Sequence, residues 1–399
     1  MEVVIATGNY SRRRAGRPGM PLPGPQEGNL MTTATRHGLR LVPLVALLSL
    51  AVSPLGTPAS KAATTFTAHK VIGNLDFPAG FTFAPNGDVF YGDRSDGDIH
   101  IWHHVDKSKT DFFTIPNVVS NGEQGLLGIA LDPNYPSTPY VYAYATRNVS
   151  GEEHDQIVRI TNSGGTGSGM TVIFSASTTA GTYHDGGRIL FGPDGKLYAV
   201  MGEAHTSANA QQLGNPAGKV LRMNAGGSAP ADNPFNGSRI WSYGLRNSFG
   251  FDFDPQTGNL WETENGPSCN DELNRIVKGG NFGWGPSETC SNPPAAPKNT
   301  NQDGPNPIQP KRFYTPTIAP TGMAFCDRCG LGAKSNGTFF FGANNTGDIR
   351  RVTLKDNRRG IASQEIVYTH PQGIVSMETG IDGRLYFSDS GGIWRLSRA

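Results

Sequence analysis

The sequence predicts an all-β fold: a six-bladed β-propeller built from four-stranded antiparallel blades. Three observations carry that prediction. The 399-residue chain holds 52 glycines and 29 prolines against 17% charged residues, which favours many short strands and turns over long helices. A Pro/Asp/Asn-Gly turn, an aromatic-rich run, a second polar turn and a second strand recur in the same order six times. Runs such as Leu197 to Met201 are apolar at every position, as expected of strands covered on both faces.

The copies follow in order. The first runs from Phe83 to Tyr91 and on through Asp96 to Trp102. The second comprises Leu131 to Tyr135, Tyr140 to Tyr144 and Gln156 to Ile160. The third is Phe191 to Val200 with Gly218 to Met223, and the fourth is Phe253 to Trp261 with Asp271 to Ile276. The fifth is Asn336 to Phe341 with Gly347 to Val352, and the sixth is Ile381 to Phe387 with Gly391 to Leu396. Asp-Gly and Asn-Gly supply the positive-φ positions of tight hairpins. A β-sandwich with several similar hairpins is the alternative. Six copies with one internal order, each with room for four strands, favour radial repetition in a single domain over residues 66–398. The long spacers between the third, fourth and fifth copies are expected to crowd onto one face.

Residues 1–30 are rich in Gly, Pro and Arg without periodicity and read as an upstream extension outside the fold. From Met31 the pattern changes. Arg36, His37 and Arg40 precede an apolar run, Leu41 to Val52, and small residues follow to Ala63. This is the layout of a secretory signal peptide over residues 31–63, and the apolar run is short for a bilayer span. The mature chain is therefore expected to be secreted or periplasmic, with no membrane span. A net charge of +1 offers no basic field for nucleic acid. Cys269, Cys290, Cys326 and Cys329 permit three pairings and are expected to form two structural disulfides. A zinc site lacks histidines at ligand spacing. Asp93, Asp96 and Asp98 read as a hairpin turn, and His103 and His104 as a solvated strand end.

Between Tyr183 and Trp284, a lone histidine, an Arg-Asn pair and a Gly-Pro followed by acidic residues all fall at predicted strand ends. Function concentrates in such loops. The runs Gly122 to Pro133, Gly186 to Tyr198, Gly218 to Arg222, Tyr243 to Asn247, Glu264 to Pro267 and Ile276 to Trp284 occur in that order. As a set they resemble the soluble quinoprotein glucose/sorbosone dehydrogenase family, which includes aldose sugar dehydrogenases. The resemblance implies pyrroloquinoline quinone (PQQ) and calcium at one end of the propeller, a sugar substrate and an external electron acceptor. It implies His184 as the base, and Arg246 and Asn247 at the quinone oxygen that gains charge. Glu123 matches a position lining the cofactor slot, and Glu203 a substrate-side acid. The carbonyls of Gly266 and Pro267 match the ligands of the cofactor calcium; Asp271 and Glu272 match a separate calcium site. The family's cofactor-binding lysine position falls near Asn345, and its arginine positions fall in His370 to Ser376, which has no arginine. That departure favours a second reading, a calcium-stabilised binding propeller without the cofactor.

Overall fold

The computed structural model describes residues 66–178, 181–287, 290 and 300–399. The upstream extension and signal segment lie outside the described residues. Among these, 24 strands form six four-stranded antiparallel sheets. Blade one is β2 (Phe81–Phe83), β3 (Val89–Gly92), β4 (Asp98–Trp102) and β5 (Lys109–Thr114). Blade two is β6 (Leu126–Leu131), β7 (Tyr140–Val149), β8 (Glu152–Ser163) and β9 (Thr166–Ser177). Blade three is β10 (Ile189–Phe191), β11 (Leu197–Met201), β12 (Lys219–Met223) and β13 (Ile240–Tyr243). Blade four is β14 (Ser248–Phe253), β15 (Leu260–Glu264), β16 (Asp271–Ile276) and β17 (Arg312–Tyr314). Blade five is β18 (Pro320–Cys326), β19 (Thr338–Ala343), β20 (Asp348–Leu354) and β21 (Ile361–Thr369). Blade six is β22 (Ser376–Thr379), β23 (Leu385–Ser388) and β24 (Gly392–Arg398), completed on its outer edge by β1 (Phe66–Gly73).

Packing follows the ring. Among the described residues, six apolar clusters form, one for each blade–blade interface. Tyr142 and Tyr144 of blade two meet Leu197 and Ala199 of blade three, for example, and Trp261 of blade four meets Phe339 of blade five. A sandwich would gather these residues into one core between two sheets. The middle strand β11 is buried at every position, as its sequence predicts.

Arg188 reaches across the axis. Its Nη1 donates to Ser376 Oγ (2.9 Å), and its Nη2 to the Met377 carbonyl (3.1 Å) and Glu378 Oε1 (2.6 Å) on β22. It precedes the innermost strand of blade three, opposite blade six, so it pins the two halves of the ring together.

The expectation that the long spacers share one face is corrected. Because strands alternate in direction, one end of the ring is where the outer strand of each blade passes to the inner strand of the next; the 202–218 loop inside the third copy, joining β11 to β12, also lies there. Residues 224–239, joining β12 to β13, lie at the opposite end. The segment after β16 climbs beside β13, with a parallel bridge between Tyr243 and Asn281, and brings Trp284 to the first end.

Both disulfides form: Cys269 pairs with Cys290, and Cys326 with Cys329. No helix among the described residues is long and apolar enough to cross a membrane.

Candidate active site

The loops at the end where the inner strands begin bring together most of the residues singled out above. His184 precedes β10. Its backbone φ of +67° lies in the left-handed region, an unusual state for a side-chain-bearing residue. Gly202 explains how that turn can sit so close to its neighbour: a methyl group there would collide with the His184 carbonyl. The His184 side chain is almost fully buried, and its Nδ1 lies 2.7 Å from Glu203 Oε1. The second Glu203 oxygen accepts the Thr206 backbone N–H. The Glu203 N–H donates to the Arg246 carbonyl (2.8 Å), so the histidine loop and the Arg246 turn are directly joined.

Glu123 ties the same parts from the other side. Its Oε2 accepts both the His184 N–H (2.9 Å) and Asn247 Nδ2 (2.9 Å). Arg246 Nη1 donates to the carbonyls of Asn265 (2.9 Å) and Gly266 (3.0 Å), and its guanidinium lies 5.5 Å from the Trp284 ring centroid. Burial pulls the Arg246 pKa below its ordinary value; the charges of Glu203, Glu123, Glu264 and Asp271 oppose this. His184, Glu203, Glu123, Arg246, Asn247 and Gly266 thus form one connected constellation.

Asp271 serves the loop that carries Gly266 and Pro267. One oxygen accepts the Gly266 N–H (2.8 Å); the other accepts those of Ile318 (2.6 Å) and Ala319 (2.8 Å). Burial lifts its carboxyl to about 6 against the pull of these three donors. Glu272 faces elsewhere. Asn274 Nδ2 lies 2.9 Å from Glu262, 3.2 Å from Glu264 and 3.0 Å from Glu272, each through a carboxylate oxygen. Burial raises Glu262 to about 8 and Glu264 well above the carboxylate range. Among the described residues, no three His, Cys, Asp or Glu side chains are arranged to hold a metal by themselves.

Glu264, which accepts the Arg246 N–H, and Trp284, which stacks on its guanidinium, carry no sequence signal for these roles. Both stood inside matching runs, but their partners are 18 and 38 residues away and become visible only when blade four closes. His103 sits at a strand end beside Asp88 (2.9 Å), and the Asp98 N–H donates to Asp96 within a turn.

The family's sequence profile, described as glucose/sorbosone dehydrogenase, matches residues 75–397. The chain belongs to this family. Quinoprotein glucose dehydrogenase B of Acinetobacter calcoaceticus is 33% identical over 280 residues, which is 62% of this chain and 58% of that protein. Aldose sugar dehydrogenase YliI of Escherichia coli is 27% identical over 378 residues, 88% of this chain and 95% of its own. The PQQ-bound aldose sugar dehydrogenase of Streptomyces coelicolor superposes with a TM-score of 0.69 at 27% identity, covering 84% of this chain and 98% of its own. Glucose/sorbosone dehydrogenases are oxidoreductases, and the arrangement of His184, Arg246 and Asn247 lies within the matched segment.

Proposed function

We propose that this protein is an extracytoplasmic dehydrogenase that oxidises aldose sugars with PQQ and calcium and passes the electrons to an external acceptor. The observation that carries this reading is the buried His184–Glu203 pair set beside Arg246 and Asn247. With Nδ1–H donating to Glu203, His184 keeps the lone pair of Nε2 for a proton.

The residues fit the cofactor at its reacting edge. Asn247 Oδ1 and Asn265 Oδ1 are buried beside Arg246 without a protein partner. The Gly266 and Pro267 carbonyls are hard oxygen donors of the kind calcium takes, on a loop fixed by Asp271. The resemblance places a second calcium at Asp271 and Glu272; Asp271 spends both its oxygens on backbone N–H groups and anchors the loop, and Glu272 accepts from Asn274.

PQQ, held with calcium by this site, would supply a two-electron acceptor for hydride from the sugar's C1. His184 Nε2 would take the C1 hydroxyl proton, the oxidation product being the lactone. Arg246 and Asn247 would supply a positive charge and an amide N–H to an oxygen that gains charge. Glu203 holds the imidazole orientation and balances its charge once the proton arrives. Glu123 fixes the His184 backbone and the Asn247 amide together.

The test is dye reduction by the purified chain on a panel of aldoses, with and without PQQ and calcium. Turnover is expected only with both. His184→Ala is expected to lower kcat at least about 100-fold; full turnover in that variant removes the reading.

A second reading, a binding propeller without the cofactor, is favoured by the turns at 344–347 and 370–375, which carry no Lys or Arg. Nearby cations do not compensate. Lys334 lies in a short turn at the opposite end, Arg350 pairs with Asp348, and Arg351 pairs with Glu365. Absence of turnover, with calcium still raising Tm, is the outcome that selects this second reading.

A further inference from the structure

Lys219 is the first residue of β12 and is completely buried. Its Nζ donates to three backbone carbonyls, those of Asn209 (2.9 Å), Ala210 (3.0 Å) and Ala217 (2.6 Å). All three belong to the 202–218 loop that begins with the Gly202-Glu203 step. An ammonium has three N–H groups in tetrahedral array and no acceptor capacity, which matches three inward-pointing carbonyls. A buried lysine is ordinarily paired with a carboxylate, and burying one without such a partner is unfavourable. Here none of its hydrogen bonds goes to a carboxylate, so the carbonyls of this one loop are what hold the charge.

The position of the clamp gives it consequence. Lys219 pairs in register with Met201 on β11 and with Tyr243 on β13. Those two strands lead directly to Glu203 and to Arg246. Asn209, whose carbonyl the ammonium holds, sends its own Nδ2 to the Glu203 carbonyl (3.0 Å). Ala210, whose carbonyl it also holds, accepts the Gly244 N–H (3.0 Å) at the root of the Arg246 turn. The loop's last residue, Gly218, accepts the Leu245 N–H (3.2 Å) and donates to Gly202 (2.9 Å).

We propose that Lys219 is a positioning residue. Its ammonium locks the 202–218 loop so that Glu203 holds His184 at a fixed distance from Arg246 and Asn247. This rests on the assignment of His184 as the base. The lysine touches neither substrate nor cofactor in this role; it acts through Glu203.

The experiment compares Lys219→Met, Glu203→Gln and the double variant in the PQQ- and calcium-loaded enzyme. Lys219→Met is expected to lower kcat about 100-fold while KM moves less than about threefold, because the loss is one of alignment rather than of sugar contact. The double variant is expected to be no slower than Glu203→Gln alone, since both changes disable one unit. A lowered Tm with unchanged kcat, or fully additive losses, overturns the proposal. If Lys219→Met does not fold, Asn209→Ala removes the adjoining tether. It is expected to cost about tenfold in kcat, again without a further loss in the Glu203→Gln background; unchanged kcat overturns the proposal. If the wild-type chain oxidises no aldose, the functional reading fails separately. The clamp is then read by amide hydrogen exchange. Faster exchange confined to residues 203–217 in Lys219→Met or Asn209→Ala supports it, and unchanged exchange there overturns it.

Discussion

A histidine has a defined direction of proton uptake only when one of its two nitrogens is occupied. At His184 that work is done by Glu203, and the pair is held by Glu123 on one side and by the Arg246 carbonyl on the other. The candidate site is thus a set of backbone positions fixed by buried carboxylates, with few side chains left to adjust. Lys219 gives this rigidity a pH signature. Burial draws its ammonium down from 10.5 to about 7 in the folded protein, so the three-carbonyl clamp is fully charged only below neutral pH and loses one donor as pH rises. In the unfolded chain a lysine holds its proton to about pH 10.4. Between those values the unfolded state binds the extra proton, so the stability contributed by this group increases as pH rises from about 7 to about 10. Against a Lys219→Met variant, which has nothing to titrate there, the wild-type stability difference is expected to grow by up to about 1.4 kcal/mol per pH unit across that window. Urea titrations of both proteins at pH 7, 8.5 and 10 check it; a flat difference would mean that the three carbonyls hold the ammonium's pKa near its ordinary value.

The blade is the element in which sequence legibility can be judged strand by strand. The second strands were readable in every copy because both faces are largely buried and a Gly turn joins or precedes them; β11, β15 and β19 are buried throughout. Outer strands were not readable. β5, β9 and β21 expose most of their residues and carry no apolar alternation that would separate them from loops. The site residues were legible as types at strand ends, but not as partners. Glu203 was placed only by the family resemblance, as a substrate-side acid, whereas the structure pairs it with His184 through two loops of blade three that fold back on each other. The disulfide pairing was likewise open, because spacing alone does not say that the segment after β16 returns to the Gly266 loop. Cys269–Cys290 now ties that loop to the strand-side segment carrying Trp284 and spans 21 residues, against three for Cys326–Cys329. By loop-closure entropy the longer bridge is worth about 3 kcal/mol and the shorter about 2 kcal/mol. Cys269→Ser/Cys290→Ser is therefore expected to lower Tm more than Cys326→Ser/Cys329→Ser. It should also be the one that weakens calcium-dependent thermal stabilisation, since the loop it frees carries Gly266 and Pro267. Thermal melts with calcium and with a chelator read both effects.

At the scale of the whole molecule, stability depends on closing a circle. No blade has a core of its own: each buries its faces against two neighbours, and the six apolar clusters lie between blades. The ring is completed by β1, which pairs with β24 from Phe66↔Arg398 to Gly73↔Gly392, so blade six is built from both ends of the described chain. This strand does more than cover an edge. Phe66 packs edge-on to Phe340 of blade five, and Ile72 belongs to the cluster between blades six and one. Losing β1 therefore strips an outer strand and weakens the two interfaces that flank it. A chain starting at residue 74 is expected to expose the β24 edge and to lose both contacts. Burying Phe66 and Ile72 is alone worth about 3 to 6 kcal/mol, a large part of the margin of an ordinary domain. The expected result is a Tm lower by more than about 10 °C, together with concentration-dependent association through the bared edge. A synthetic peptide of residues 66–73 added in trans should restore part of the lost Tm, because the missing strand pairs through its backbone and needs no covalent link. Failure of the peptide to restore it, with Tm equally low, would place the loss in the covalent closure rather than in the contacts of Phe66 and Ile72.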